Sequence, residues 1–94
     1  LEKWGLGVRA VSRAYAREHQ LESTAGVVII GVQPGFPADT AGLARGDLIV
    51  KVNQQPVNSL EALKAVHAAY EASPAPTLIE AQRSRRVSLY VLKP

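Results

Sequence analysis

The sequence contains neither cysteine nor methionine. Without cysteine there is no disulfide framework and no thiolate-ligated metal, a condition that suits either the cytoplasm or a bacterial envelope. Aromatic residues are scarce: Trp4, Tyr15, Phe36, Tyr70 and Tyr90 are all there are. A core must therefore be built from Val, Ile, Leu and Ala. Long apolar runs are missing as well. The longest, Gly26 to Val32, falls far short of the roughly 20 residues that a membrane-spanning helix needs. No secretory leader, internal repeat or low-complexity tract is visible. Lacking an initiator methionine, the chain reads as a piece of a longer protein, with targeting information expected outside it.

What is present fits one domain. The 94 residues allow a single modest core. The net charge of +3 and pI near 9.6 are mildly basic, without the basic stripe that marks a nucleic-acid face.

Apolar and polar residues alternate from Gly7 to Val11, which predicts a strand. Ser12 suits the cap of a short helix reaching about His19, with Tyr15 and Leu21 facing in. Gly26 to Val32 is β-branched and reads as a buried strand. Pro34-Gly35-Phe36-Pro37 is a turn, and Ala38 to Ala41 is one helical turn closed by Gly42. A tight turn over Ala44 to Asp47 leads into a second central strand, Leu48 to Val52, and Asn53 to Pro56 turns the chain again. Asn58 and Glu61 have capping-box spacing. Behind them Leu60, Leu63, Val66, His67 and Tyr70 fall on one helical face. Pro74 and Pro76 stop that helix. Thr77 to Gln82 and Arg86 to Leu92 form a hairpin with a basic tip around Ser84. The expected class is α+β: a small, partly open antiparallel barrel or sandwich of five or six strands, one long helix and one or two short ones.

Little in the chain points to catalysis. There is no G-x-S-x-G elbow, the two aspartates sit in turns, and His19 and His67 lack metal-ligand spacing. Neither a catalytic centre, nor a metal site, nor a cofactor is expected. His19 reads as an exposed helix end, where a cation suits the dipole, and His67 as a helix residue lining a groove or edge. Gly5-Leu6-Gly7 could open a dinucleotide fingerprint, but the third glycine is missing and a strand follows instead of a helix. Arg83, Arg85 and Arg86 read as a solvated hairpin end that resists edge pairing, with contact to an anionic polymer or lipid as the functional alternative. Nucleic-acid binding is not expected. Arg45-Gly46-Asp47 spells an adhesion tripeptide, which a tight turn at Gly46 explains better.

The stretch from Gly26 to Asn53 resembles the central signature of a bacterial PDZ domain. The matching elements are Gly26-Val27, Pro37-Ala38, Ala41-Gly42-Leu43, Gly46-Asp47-Leu48-Ile49 and Val52-Asn53, with Val57 and Ser59 to Leu63 resembling the family's helix opening. Essentially the whole chain is covered, and it is most similar to the C-terminal PDZ modules of HtrA/Deg-type serine proteases. The departures are Gln54, where the family usually carries glycine, and the Arg-Ser-Arg-Arg tip. Gln54 implies that Asn53 or Gln54 tolerates a left-handed conformation.

The resemblance implies a carboxylate-binding loop at Gly5, Leu6, Gly7 and Val8. Glycines there let successive N–H groups converge on an anion. The following strand would pair with a peptide by β-augmentation. Arg9, Ala10, Ile30, Leu63, Val66 and His67 would line the groove, and Leu6, Val8 and Ile30 an apolar pocket for the ligand's last side chain. Lys3 reads as solvated, and Trp4 as either a core lid or a rim residue. The implied role is capture of C-terminal or unfolded segments for the protease domain of a parent serine endopeptidase in the bacterial envelope or periplasm. This module itself would not be catalytic. The alternative is an interaction module of a membrane-embedded site-2 metalloprotease, a C-terminal processing protease or a secretion-system subunit.

Overall fold

A computed structural model describes all 94 residues. The elements run β1 (Leu6–Ala10), α1 (Arg13–Glu18), β2 (Val27–Val32), α2 (Pro37–Ala41), β3 (Leu48–Val52), β4 (Gln55–Pro56), α3 (Leu60–Ala72), β5 (Thr77–Arg83) and β6 (Arg86–Leu92). The strands make one antiparallel sheet in the order β1-β2-β3-β5-β6, with β4 on β3. The outermost strands are therefore β1 and β6.

Local chemistry accounts for the boundaries. Ser12 caps α1, its Oγ accepting the Tyr15 N–H at 3.0 Å. Gly42, left-handed, closes α2. The cap of α3 is Ser59, not Asn58: its Oγ accepts the Ala62 N–H at 3.2 Å. The third helical residue is then Ala62, so no reciprocal capping box forms. Glu61 still lies in the first turn, where the helix dipole favours it. Two turns hold pairs of left-handed non-glycine residues, Asn53–Gln54 and Ser84–Arg85. This backbone matches the twist of a two-residue hairpin. Asn53 is fastened on both sides: its N–H donates to the Leu78 carbonyl at 2.7 Å, and its Oδ1 accepts the Leu78 N–H at 2.9 Å.

The main core lies between the sheet and α2 and α3. Ile29, Ile49, Leu63, Ile79 and Leu92 are fully buried there, joined by Trp4, Leu6 and Tyr70. Side chains alternate faces along a strand, so Leu48, next to core residue Ile49, points the other way. It meets Val11 and Ala16, with Tyr15, Leu21 and Val50 at the margin, and this second cluster seats α1 on the outer face.

Asp47 and Arg83 do not behave as loop and tip residues. Asp47 is buried, and Arg83 grips it bidentately, Nε to Oδ1 and Nη2 to Oδ2 both at 2.7 Å. Arg83 also donates to the Gly42 carbonyl at 3.0 Å, and Asp47 Oδ2 accepts the Ala44 N–H at 3.0 Å. Arg83 is exposed like Arg85 and Arg86, as expected of the hairpin end, but unlike a freely solvated arginine it is fixed in an ion pair. Arg83 locks the turn before β3 to the end of β5 because a buried carboxylate needs a matched donor pair.

Candidate functional site

At the β1 edge, the chain before the strand forms a single tight turn. The Gly5 N–H donates to the Glu2 carbonyl and the Leu6 N–H to the Leu1 carbonyl, both at 3.1 Å. With Gly5 left-handed (φ 74°), this is a Schellman closure. A Cβ on Gly5 would lie 2.3 Å from the Phe36 Cβ, so conformation and space both demand glycine. The loop's carbonyls are also held: Trp4 O accepts the Ala38 N–H at 3.1 Å and Gly5 O the Gln33 N–H at 2.8 Å. Of the four amides expected to face a carboxylate, those of Gly5 and Leu6 are therefore engaged internally. An anion finds at most Gly7 and Val8 unless the Leu1 carbonyl gives way.

The inward face of β1 carries Leu6, buried, and Val8, half-buried against the core. Across from it stand Leu63, fully buried, and the half-buried Val66 of α3. Ala10 pairs with Val27. Arg9 and Ile30 stand elsewhere. Val8 pairs with Ile29 and Gly7 with Gly31, so Ile30 is the extra residue of a β-bulge. Ile29 is buried and Ile30 is 45% exposed, pointing to the opposite face. Ile30 therefore does not line a pocket with Leu6 and Val8. It lies beneath Gly7, whose missing Cβ would sit 3.5 Å from Ile30 Cγ1. Arg9, exposed, is on the outer face too.

His67 and Trp4 close the end of α3. Trp4 is fully buried, which resolves it as a core residue. Its ring meets His67 edge-on at 4.8 Å and Tyr70 at 5.6 Å. The Trp4 Nε1–H, buried, has no acceptor. His67 Nε2 accepts the Lys3 N–H at 3.2 Å, while Nδ1 lies 3.3 Å from a Glu71 carboxylate oxygen. This geometry fits neutral imidazole protonated on Nδ1. Burial lowers the His67 pKa from its ordinary 6.5, with Glu71 pulling the other way.

Two shallow cavities flank the turn. One, about 290 Å³, lies among Leu1, Glu2, Lys64, His67 and Glu71. The other, about 350 Å³, is bounded by Leu1, Glu2, Gly5 to Gly7 and the end of β2. Neither includes Val8 or Val66. Two larger concavities, about 600 Å³ each, lie away from it. One sits between the α1–β2 connection and β3, the other between α2 and the end of β6.

An edge strand entered through a glycine turn and flanked by the long helix is the geometry at hand, and the PDZ domain family model matches residues 2–78. The chain belongs to the PDZ family. Over 67 residues this PDZ domain is 37% identical to a probable periplasmic serine endoprotease DegP-like of Chlamydia trachomatis. The match covers 70% of this chain and 14% of that relative. The magnetosome formation protease MamE of Paramagnetospirillum magneticum is 38% identical over 68 residues, 72% of this chain and 8% of its own length. The chain therefore spans only a small part of these relatives. Among solved structures, the HtrA3 PDZ domain bound to a phage-derived ligand (FGRWV) superposes with a TM-score of 0.78 at 27% identity, covering 96% of this chain and 81% of that one. The HtrA-type protease AlgW with decapeptide has the same fold: TM-score 0.79, 24% identity, 96% of this chain and 27% of that one.

Proposed function

We propose that this domain captures C-terminal or extended peptide segments by adding them as a strand to β1, within the seam against α3. The observation that carries this reading is the position of β1. It ends the sheet, pairs on one side with β2 alone, and touches α3, whose Leu63 and Val66 share a core cluster with Leu6 and Val8. Main-chain bonds would supply affinity and alternate side chains selectivity. The peptide ligand on the HtrA3 PDZ domain supports the same reading.

In this proposal the carboxylate lies at Gly5, Leu6, Gly7 and Val8, and of the Gly7 and Val8 amides the one turned away from β2 is offered first. Leu6, Val8, Leu63, Val66 and His67 receive the side chains that point toward α3, and Ala10 borders the strand. Arg9, with Ile30, meets those that point outward. The whole 94 residues act as one module of an HtrA/Deg-like serine endopeptidase, presenting substrate to its protease domain or relieving inhibition when occupied. The DegP-like relatives are named periplasmic, which supports a place in the bacterial envelope, where the parent could be membrane-associated.

The test is the affinity of the pentapeptide FGRWV with a free and with an amidated C-terminus. The free acid is expected to bind at least about tenfold more tightly, since charge-assisted bonds contribute about 1.5–3 kcal/mol. Equal affinity of the two forms, or no binding by either, would overturn carboxylate capture.

A further inference from the structure

We propose that β6 forms a second docking surface, for an extended protein segment with alternate apolar side chains between acidic ends. Four large apolar side chains are exposed on this molecule: Ile30, Val87, Leu89 and Val91. Three of them share one face of one strand, at 52%, 63% and 48% exposure. Their neighbours Ser88, Tyr90 and Leu92 face the core side, opposite Ala81, Ile79 and Thr77. The stripe is thus not a misplaced core face but a second apolar face of the same strand.

The strand's far edge has no partner strand. β6 is the last strand of the sheet and matches β5 over all seven residues without a bulge. Proteins usually blunt such an edge with a bulge, a proline or charges; β6 has neither bulge nor proline, and its one charge, Arg86, stands at its first residue. Its C-terminal half instead borders a concavity of about 600 Å³ against α2, lined by Gly35, Pro37, Thr40, Ala41, Val91 and Lys93 among others. A strand added there would gain main-chain bonds from β6 and lay every second side chain beside Val87, Leu89 and Val91.

Charge selects the occupant. Arg85 stands at one end of the stripe and Lys93 at the other, and a hydrogen bond to Gln20 holds the Arg85 guanidinium; Arg86, of the opposite parity, turns to the other face. The carboxylate on this face is Glu80, opposite Leu89, and the ladder sets Lys51 on its other side. A second copy fits poorly. Antiparallel self-pairing centred on Leu89 would join Val87 to Val91 but set Arg85 against Lys93. Acidic ends match where a second copy repels.

The probe is an acetylated, amidated peptide with Val and Thr alternating over seven residues between Glu-Glu ends. Having no terminal carboxylate, it lacks the group that the β1 loop is proposed to recognise. NMR titration of the 94-residue chain is expected to shift the amides of Val87, Leu89 and Val91 and to leave Gly7 and Val8 in place. Leu89→Lys, at an exposed position, should weaken binding about tenfold. The double variant Arg85→Glu, Lys93→Glu should come to prefer the same peptide with Lys-Lys ends. The proposal is overturned by shifts confined to β1, by no shift at β6, or by indifference of both proteins to the sign of the ends. Association of the chain with itself through β6, or binding of phosphatidylglycerol vesicles without a peptide response, would equally overturn it. Failure of FGRWV to bind β1 would leave this result unaffected.

Discussion

His67 links α3 to the turn before β1 through a bond that only its neutral form can accept. Protonation at Nε2 would replace an acceptor with a donor facing the Lys3 N–H. Burial and the Lys3 charge lower the pKa, while the Glu71 and Glu2 carboxylates oppose them. Because the folded value lies below the ordinary 6.5, the unfolded chain binds the proton more readily. This contribution to stability is complete above pH 6.5 and is lost as the pH falls toward the folded value. Urea denaturation at descending pH should therefore show weakening that His67→Gln flattens. A second residue-scale expectation concerns Gln54, left-handed at φ 67°. Relief of about 1–2 kcal/mol of backbone strain, less the extra entropy of glycine in the unfolded chain, should make Gln54→Gly more stable by about 0.5–1 kcal/mol. An unchanged m-value with a raised urea midpoint would be the sign. The left-handed turn itself was legible in the sequence, from an asparagine beside the position where glycine is usual. The shifted helix cap was not, since Asn58 and Ser59 are both good caps and only the backbone path chooses between them.

Among the elements, strands and helices were readable wherever pattern and punctuation agreed. The β-branched run gave β2, Ser12 and Gly42 bounded the short helices, and the prolines after Ser73 ended α3. Alternation failed at β2, where a continuous apolar run conceals the bulge that turns Ile30 outward and leaves Ile29 and Val32 on the core side. The Asp47–Arg83 lock was invisible for another reason. Its partners are separated by 36 positions, and no spacing rule joins a turn to a hairpin end. That lock makes a prediction about elements. Arg83→Met should lower the melting temperature by leaving Asp47 buried and unpaired, and Arg83→Lys should restore little of it because an ammonium cannot bond both oxygens in one plane. Recovery of the full melting temperature in Arg83→Lys would show that charge alone suffices.

For the molecule as a whole, the sheet order decides what can bind. A strand with neighbours on both sides cannot be augmented, so apart from the two-residue β4 the available edges are β1 and β6. Family likeness indicated the first of these together with the glycine turn. It gave no sign that the turn would spend the Leu6 amide on Leu1, because a glycine pair permits several closures and tertiary contacts with Phe36 and Ala38 select one. The second edge was read as protected by its arginines, and that reading missed only that the exposed Arg83 is tied to Asp47.

The claim that the β1 edge receives the ligand is tested most directly by amide hydrogen exchange on this chain, with and without saturating FGRWV. Alternate amides of Leu6–Ala10, those turned away from β2, are expected to slow markedly while exchange on β6 stays the same. Unchanged exchange along β1 in a chain that binds the peptide would contradict β-augmentation at this edge and move the ligand elsewhere on the fold.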